Sequence, residues 1–150
     1  MKRFSYSLQK ILELRAFERK EAEAELGKVN AQIALVHREL ESIAEHWRET
    51  QQQMDADYKD TMLMADGHSY LVFLTQKKEN CLERLALLQM EAEKKKDIVR
   101  KAMQKEKVLE KLKDSRLAAW KADVLNEEEL IVDDVVTARY GLNSGMPNRQ

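Results

Sequence analysis

One proline, four glycines and one cysteine in 150 residues leave this chain nearly without turn formers and with no possibility of an intramolecular disulfide. A compact domain of this size needs many short elements joined by turns, so the scarcity argues against a globule. Aromatic residues make up only 6%, so any core is thin and mostly aliphatic. No run approaches the roughly 20 apolar residues that span a bilayer. Charge of one sign is lacking as well: the net charge is −1, which gives no global attraction to nucleic acid or to an anionic membrane. The basic opening Met1-Lys2-Arg3 meets Gln9, Lys10 and Glu13 before an apolar signal core can form, so an uncleaved, cytosolic chain is expected.

What the chain does have is charge of both signs, 35% of residues against the usual quarter, arranged around regularly spaced aliphatics. From Leu8 the apolar positions advance in steps of four and three through Leu12, Ala22, Leu26, Val29, Ile33, Val36, Leu40, Ile43 and Trp47 to Met54, with Arg15 and Arg19 interrupting. That 3.5-residue spacing is the seam of a left-handed coiled coil. A second stripe runs from Leu71 through Leu74, Cys81, Leu85, Leu88, Ala92, Val99, Ala102, Leu109 and Leu112 to Trp120. The predicted fold is therefore all-α, a long antiparallel two-helix coiled-coil hairpin within a single domain, 1–140. Helices are expected over about 3–64 and 70–138. The turn is placed at 65–69, where Gly67 can adopt a left-handed conformation and Ser69 can cap the second helix. Such a hairpin brings Phe4 and Leu8 near Ala118 to Val124. Residues 141–150 collect the remaining turn formers and read as a disordered tail.

Charge is uneven along the chain. Residues 1–66 carry 10 Lys/Arg against 13 Asp/Glu, 67–122 carry 14 against 8, and 123–150 carry 2 against 6. The basic stretch from Lys94 to Lys113 is interleaved with Glu91, Glu93, Asp97, Glu106 and Glu110 and has no stacking aromatics, which fits a solvated face better than a nucleic-acid surface.

Chemistry-bearing patterns are few. His37, His46 and His68 have no second histidine at ligand spacing, and His37 with Glu41 falls short of a metal site. Cys81 lies on the apolar stripe as a small buried thiol. No glycine-rich phosphate loop and no catalytic constellation is present, so no enzyme, cofactor or metal is expected. Two features invite a binding role. Arg15 and Arg19 sit where the seam should be apolar, with Lys113 and Arg116 opposite; either their stems cover the seam, or that end belongs inside another protein. Tyr70 and Phe73 form an i, i+3 aromatic pair near the turn, which either packs on Met62, Leu63 or Met64 or forms an interface.

Phe4-x-Tyr6-x-Leu8-x-x-Ile11-Leu12-x-x-Arg15, Tyr70-x-x-Phe73-Leu74, Lys107-Val108-Leu109-Glu110-Lys111-Leu112-Lys113-x-x-Arg116 and the acidic Glu127-Glu128-Glu129 to Asp133-Asp134-x-x-x-x-Arg139 together resemble the FliJ family of flagellar export proteins. Asp134 stands where that family often has glutamate. The resemblance implies a stalk of the flagellar type III export apparatus that inserts into and stimulates a hexameric export ATPase, contacts the cytosolic domain of the membrane export gate and handles export chaperones. It implies a cytoplasmic protein held peripherally at the inner-membrane export apparatus, with no nucleic acid and no membrane insertion of its own. Carried over by position, Leu8, Leu12, Arg15, Leu109, Leu112, Arg116, Asp133 and Arg139 are candidates for the ATPase, and Tyr70 and Phe73 for the gate. The stalk of a virulence secretion system, a coiled-coil scaffold and an export chaperone are the alternatives.

Overall fold

The structure is a computed structural model that describes residues 2–144. Its regular structure is two helices, α1 (Gln9–Ala56, 48 residues) and α2 (Thr61–Ser144, 84 residues), with no strand among the described residues. The expected all-α fold of two long helices packed together is thus what the chain adopts. It divides into two compact units, a central one, Ala16–Met103, and a terminal one formed by the described parts of Met1–Arg15 and Gln104–Gln150.

In the central unit α1 turns back on α2 as a helical hairpin, and the two stripes read from the sequence face each other. Val36, Ile43, Met54, Leu71, Leu74 and Cys81 form one buried cluster, with Leu40, Met64, Leu85 and Leu88 packed against it. Along α1 the buried positions Ala22, Val29, Val36 and Ile43 fall seven residues apart, while Leu26, Ile33 and Leu40 between them are half-buried. This is the pattern of one knob per heptad driven deepest into the partner helix. At about 25 cal/mol per Å2 of apolar area removed from water, each buried valine or isoleucine contributes up to roughly 1.5–3 kcal/mol, which outweighs the ion pairs along the helices. Those pairs, Arg19–Glu23, Lys28–Glu25, Lys96–Glu93 and Arg100–Asp97, span one helical turn each and contribute about 0.3–0.5 kcal/mol.

The reversal is not where glycine suggests it. It lies at Asp57-Tyr58-Lys59-Asp60 instead of 65–69. The Asp57 amide still donates to Gln53 O at 3.1 Å, and the Asp60 amide closes the turn on Asp57 O at 3.0 Å. The Asp60 carboxylate then accepts from the amides of Met62 and Leu63 at 3.1 and 3.2 Å, an aspartate N-cap that starts α2. Gly67 and Ser69 are inside α2, and no glycine among the described residues has positive φ. Gly67 serves a different need, close approach: a Cβ there would stand 2.6 Å from the Met54 sulfur and 2.7 Å from its Cγ.

In the terminal unit the chain preceding α1 is not helical, contrary to the expected start near residue 3. Residues 2–6 run without regular structure before a turn at Ser7-Leu8. A helix would hold Phe4 and Tyr6 about 200° apart. The irregular strap instead sets both on α2, Phe4 tilted against Trp120 with ring centroids 5.9 Å apart, and the Tyr6 hydroxyl donating to Leu109 O at 3.1 Å. The expected nearness of Phe4 to Ala118–Val124 is realised in that ring contact. Glu106, read as part of a solvated face, is buried at 9% exposure, because it occupies the position seven residues from both Val99 and Lys113 on the inward stripe of α2.

At its C-terminal end α2 runs to Ser144 instead of stopping near 138, and Gly141 is helical. The expected disordered tail is helix over 141–144, and its remainder, 145–150, lies outside the described residues. No described helix is long and apolar enough to cross a membrane.

Candidate functional site

Because α1 starts at Gln9 and α2 runs on to Ser144, the terminal unit contains a stretch of α2 on which none of the described residues packs. Trp120 and Val124 are the last half-buried residues; from Leu125 onward every residue whose burial is described is exposed. Among these are Leu125, Leu130, Ile131, Val132, Val135, Val136, Tyr140 and Leu142, with exposures from 44% at Val136 to 75% at Leu142. Six of these, Leu125, Ile131, Val132, Val135, Val136 and Leu142, share one side of the helix, whereas Leu130 and Tyr140 lie off it.

All eight residues assigned to the ATPase end fall in the terminal unit, but they are not one surface. Leu12 is buried, and Leu8, Arg15 and Leu109 are half-buried, so they build the helix pair before they can meet a partner. Leu109 also carries the carbonyl that accepts the Tyr6 hydroxyl. Arg116 is exposed yet engaged: its Nη1 donates to Ser7 Oγ at 3.0 Å, and its guanidinium carbon stands 5.6 Å from the centre of the Tyr6 ring. Tyr6, Ser7 and Arg116 thus latch the strap onto α2, a role that sequence spacing cannot reveal because 109 residues separate Ser7 from Arg116. Leu112 is open at 36%, and Asp133 and Arg139 are exposed on the unpartnered stretch. Asp133 lies about 25 Å along α2 from Arg116 at 1.5 Å per residue, so the structure does not bring those two together.

The gate candidates lie in the central unit. Tyr70 and Phe73 stack with centroids 6.2 Å apart and an interplanar angle of 23°, and both are exposed, at 40% and 58%. The turn at 57–60 leaves them about 15 Å along α2 from its start, instead of directly past the turn. Tyr70 borders a cleft of about 230 Å3 shared with Leu63, Gly67, Thr50 and Met54. Phe73 is the more open of the two rings.

Two further features of the central unit were not legible in the sequence. An open cleft of about 420 Å3 is lined by Leu40, Ile43, Trp47, Leu74, Lys78 and Leu82. Trp47, a seam position by spacing, is 40% exposed at its edge. The second is a polar clasp between the helices, in which Arg84 Nη2 and the Cys81 thiol both donate to Glu39 Oε2, the thiol at 3.3 Å. The Cys81 hydrogen bond, and then that of Arg84, holds the Glu39 carboxyl below its ordinary value. Lys28 does the same for Glu25 by a hydrogen bond across one turn. Among the described residues no group of three or more His, Cys, Asp or Glu side chains is arranged to hold a metal ion.

Comparison with known proteins bears on the whole chain. The family model described as the flagellar FliJ protein matches residues 4–145. No curated protein and no solved structure gives a significant match.

Proposed function

The chain belongs to the FliJ family, components of the flagellar export apparatus, and on that premise we propose that it is a non-enzymatic central stalk of that apparatus. In this reading the terminal unit engages and stimulates a hexameric export ATPase, and the central unit meets the cytosolic domain of the membrane export gate through Tyr70 and Phe73. Export chaperones are further partners, and the protein works on the cytoplasmic side, at the membrane only through the gate.

The observation that carries this reading is the uncovered stretch of α2 after Val124, with its exposed aliphatics and the charges of Asp133 and Arg139. A helix continued for about five turns with no partner among the described residues is a surface suited to another protein. Leu112 and Arg116 extend that surface toward the strap. Leu8, Leu12, Arg15 and Leu109 support it from within, by holding the helix pair on which it is mounted.

The test uses Leu112→Glu and Asp133→Lys, both at exposed positions. Each variant should keep its helicity by circular dichroism and reduce stimulation of the purified export ATPase several-fold. Full stimulation by both variants removes the terminal unit from ATPase contact.

A further inference from the structure

From Leu125 to Leu142 the residues on one face of α2 are matched in character about the midpoint, although the rest of the stretch is not: Asn126 stands opposite Gly141 and Leu130 opposite Thr137. Leu125 stands opposite Leu142, Ile131 opposite Val136 and Val132 opposite Val135 about a point between Asp133 and Asp134. Glu128 stands opposite Arg139 about the same point. At 100° per residue, all eight positions fall within an arc of roughly 140° on one side of the helix. Glu127, Asp133 and Asp134 project from the other side. The six aliphatics of this arc are 44% to 75% exposed, and neither Glu128 nor Arg139 has an ion-pair partner among the described residues.

We propose that this face is a self-complementary dimer surface, on which the α2 stretches of two copies lie antiparallel about a two-fold axis at Asp133/Asp134. In an isologous contact residue i meets j of the partner and j meets i, and here those mates are compatible at each seam position, aliphatic on aliphatic and Glu128 on Arg139. In heptad terms Leu125, Glu128, Val132, Val135, Arg139 and Leu142 are the seam. Antiparallel pairing stacks them as Leu125 on the partner's Leu142, Glu128 on the partner's Arg139 and Val132 on the partner's Val135, each layer occurring twice. Ile131 and Val136 border the seam and widen it.

Charge complementarity selects this arrangement over others. A parallel pair would set Glu128 against Glu128 and Arg139 against Arg139, two repulsive layers. A slip of one heptad would set Arg139 against Val135 in one direction and against Lys121 in the other, and in neither against Glu128. A single polar layer in a helix pair sets register and orientation at some cost in affinity. With about two and a half heptads the contact belongs to the small, transient class, so exchange between monomer and dimer is expected in roughly the micromolar to tens-of-micromolar range. The same exposed aliphatics and Arg139 carry the export reading above; where that reading holds, self-pairing and ATPase engagement exclude each other. The dimer itself does not depend on it.

The experiment uses the full chain alone, by sedimentation equilibrium over a wide concentration range at low and high salt. The wild type should pass from monomer to dimer. Glu128→Arg and Arg139→Glu should each raise the dissociation constant at least about tenfold, by replacing two attractive layers with two repulsive ones. The double variant Glu128→Arg/Arg139→Glu should recover most of that loss. Recovery separates the ionic layer from any loss of helicity, because a merely damaged helix is not repaired by a second charge reversal. A wild type that stays monomeric throughout, a dimer indifferent to Glu128→Arg, or a double variant no tighter than the singles overturns the proposal.

Discussion

Two glycines in helices illustrate how the same residue answers to opposite demands. Gly27 has nothing within 4 Å of where a Cβ would stand, so Gly27→Ala should gain the helix propensity difference, about 0.5–1 kcal/mol. At Gly67 the same gain meets a Cβ placed 2.6 Å from the sulfur of Met54, a side chain only 3% exposed within the central cluster. Moving Met54 costs about 1–3 kcal/mol as overpacking, so Gly67→Ala should come out destabilising on balance. Thermal unfolding of the two variants should shift in opposite directions; a rise for both would mean that Met54 relocates freely. Glu39 supplies a pH-dependent contribution. Its folded-state carboxyl titrates below the unfolded value, so the stabilisation is present above the unfolded pKa near 4.5 and is lost as pH falls through the folded pKa. Glu39→Gln should therefore flatten the acid limb of the stability profile, measured as melting temperature from pH 7 down to 3. An unchanged limb would assign the acid sensitivity to other carboxylates.

At the scale of elements, the periodic parts of the fold were readable and the aperiodic ones were not. The seam positions Ala22, Val29, Val36, Ile43, Leu74 and Cys81 are buried as their spacing requires, because a repeat of 3.5 has one physical meaning over many turns. The turn was misplaced for a definite reason. Glycine is a common stop signal through its left-handed cap, but this loop is made by aspartate, whose carboxylate caps α2 without any left-handed residue. Asp57 and Asp60 look, in sequence, like two more charges on a wet face. The strap over residues 2–8 was illegible for another reason: its partners Leu109, Arg116 and Trp120 are remote in sequence, and no local pattern encodes them. Among the site residues, spacing found the pair Tyr70 and Phe73 but left open whether it is exposed, and could not tell that Leu12 is buried and that Arg116 is engaged by Ser7. The position of the turn has a direct test. Asp60→Ala should cost about 1 kcal/mol by removing the N-cap, and Asp60→Asn should recover most of it. Substituting Ser69, the cap of the misplaced turn, should change stability by less than about 0.5 kcal/mol, since it is an exposed residue inside a helix. Urea unfolding midpoints of the three variants decide between the two turns.

For the molecule as a whole, the division into two units has a functional consequence. The ATPase candidates are confined to the terminal unit, and the gate candidates to the central one. Each unit has its own packing: the Val36–Cys81 cluster in one, and in the other the Phe4–Trp120 contact with the Tyr6, Ser7 and Arg116 latch. Substitutions of exposed residues in one unit should leave the other intact, because energetic coupling between sites that share no partners is small. The proposed stalk role thus predicts separable defects. Phe73→Ala should weaken binding to the cytosolic gate domain by about tenfold, the order of a lost aromatic anchor, with full ATPase stimulation and little change in melting temperature. Leu112→Glu with Asp133→Lys should do the reverse. Restoring motility would then require both sets of wild-type residues in the same molecule, and co-expressing the two variants should not complement. Complementation between them would mean that ATPase and gate are served by different copies, and that no single copy has to bind both.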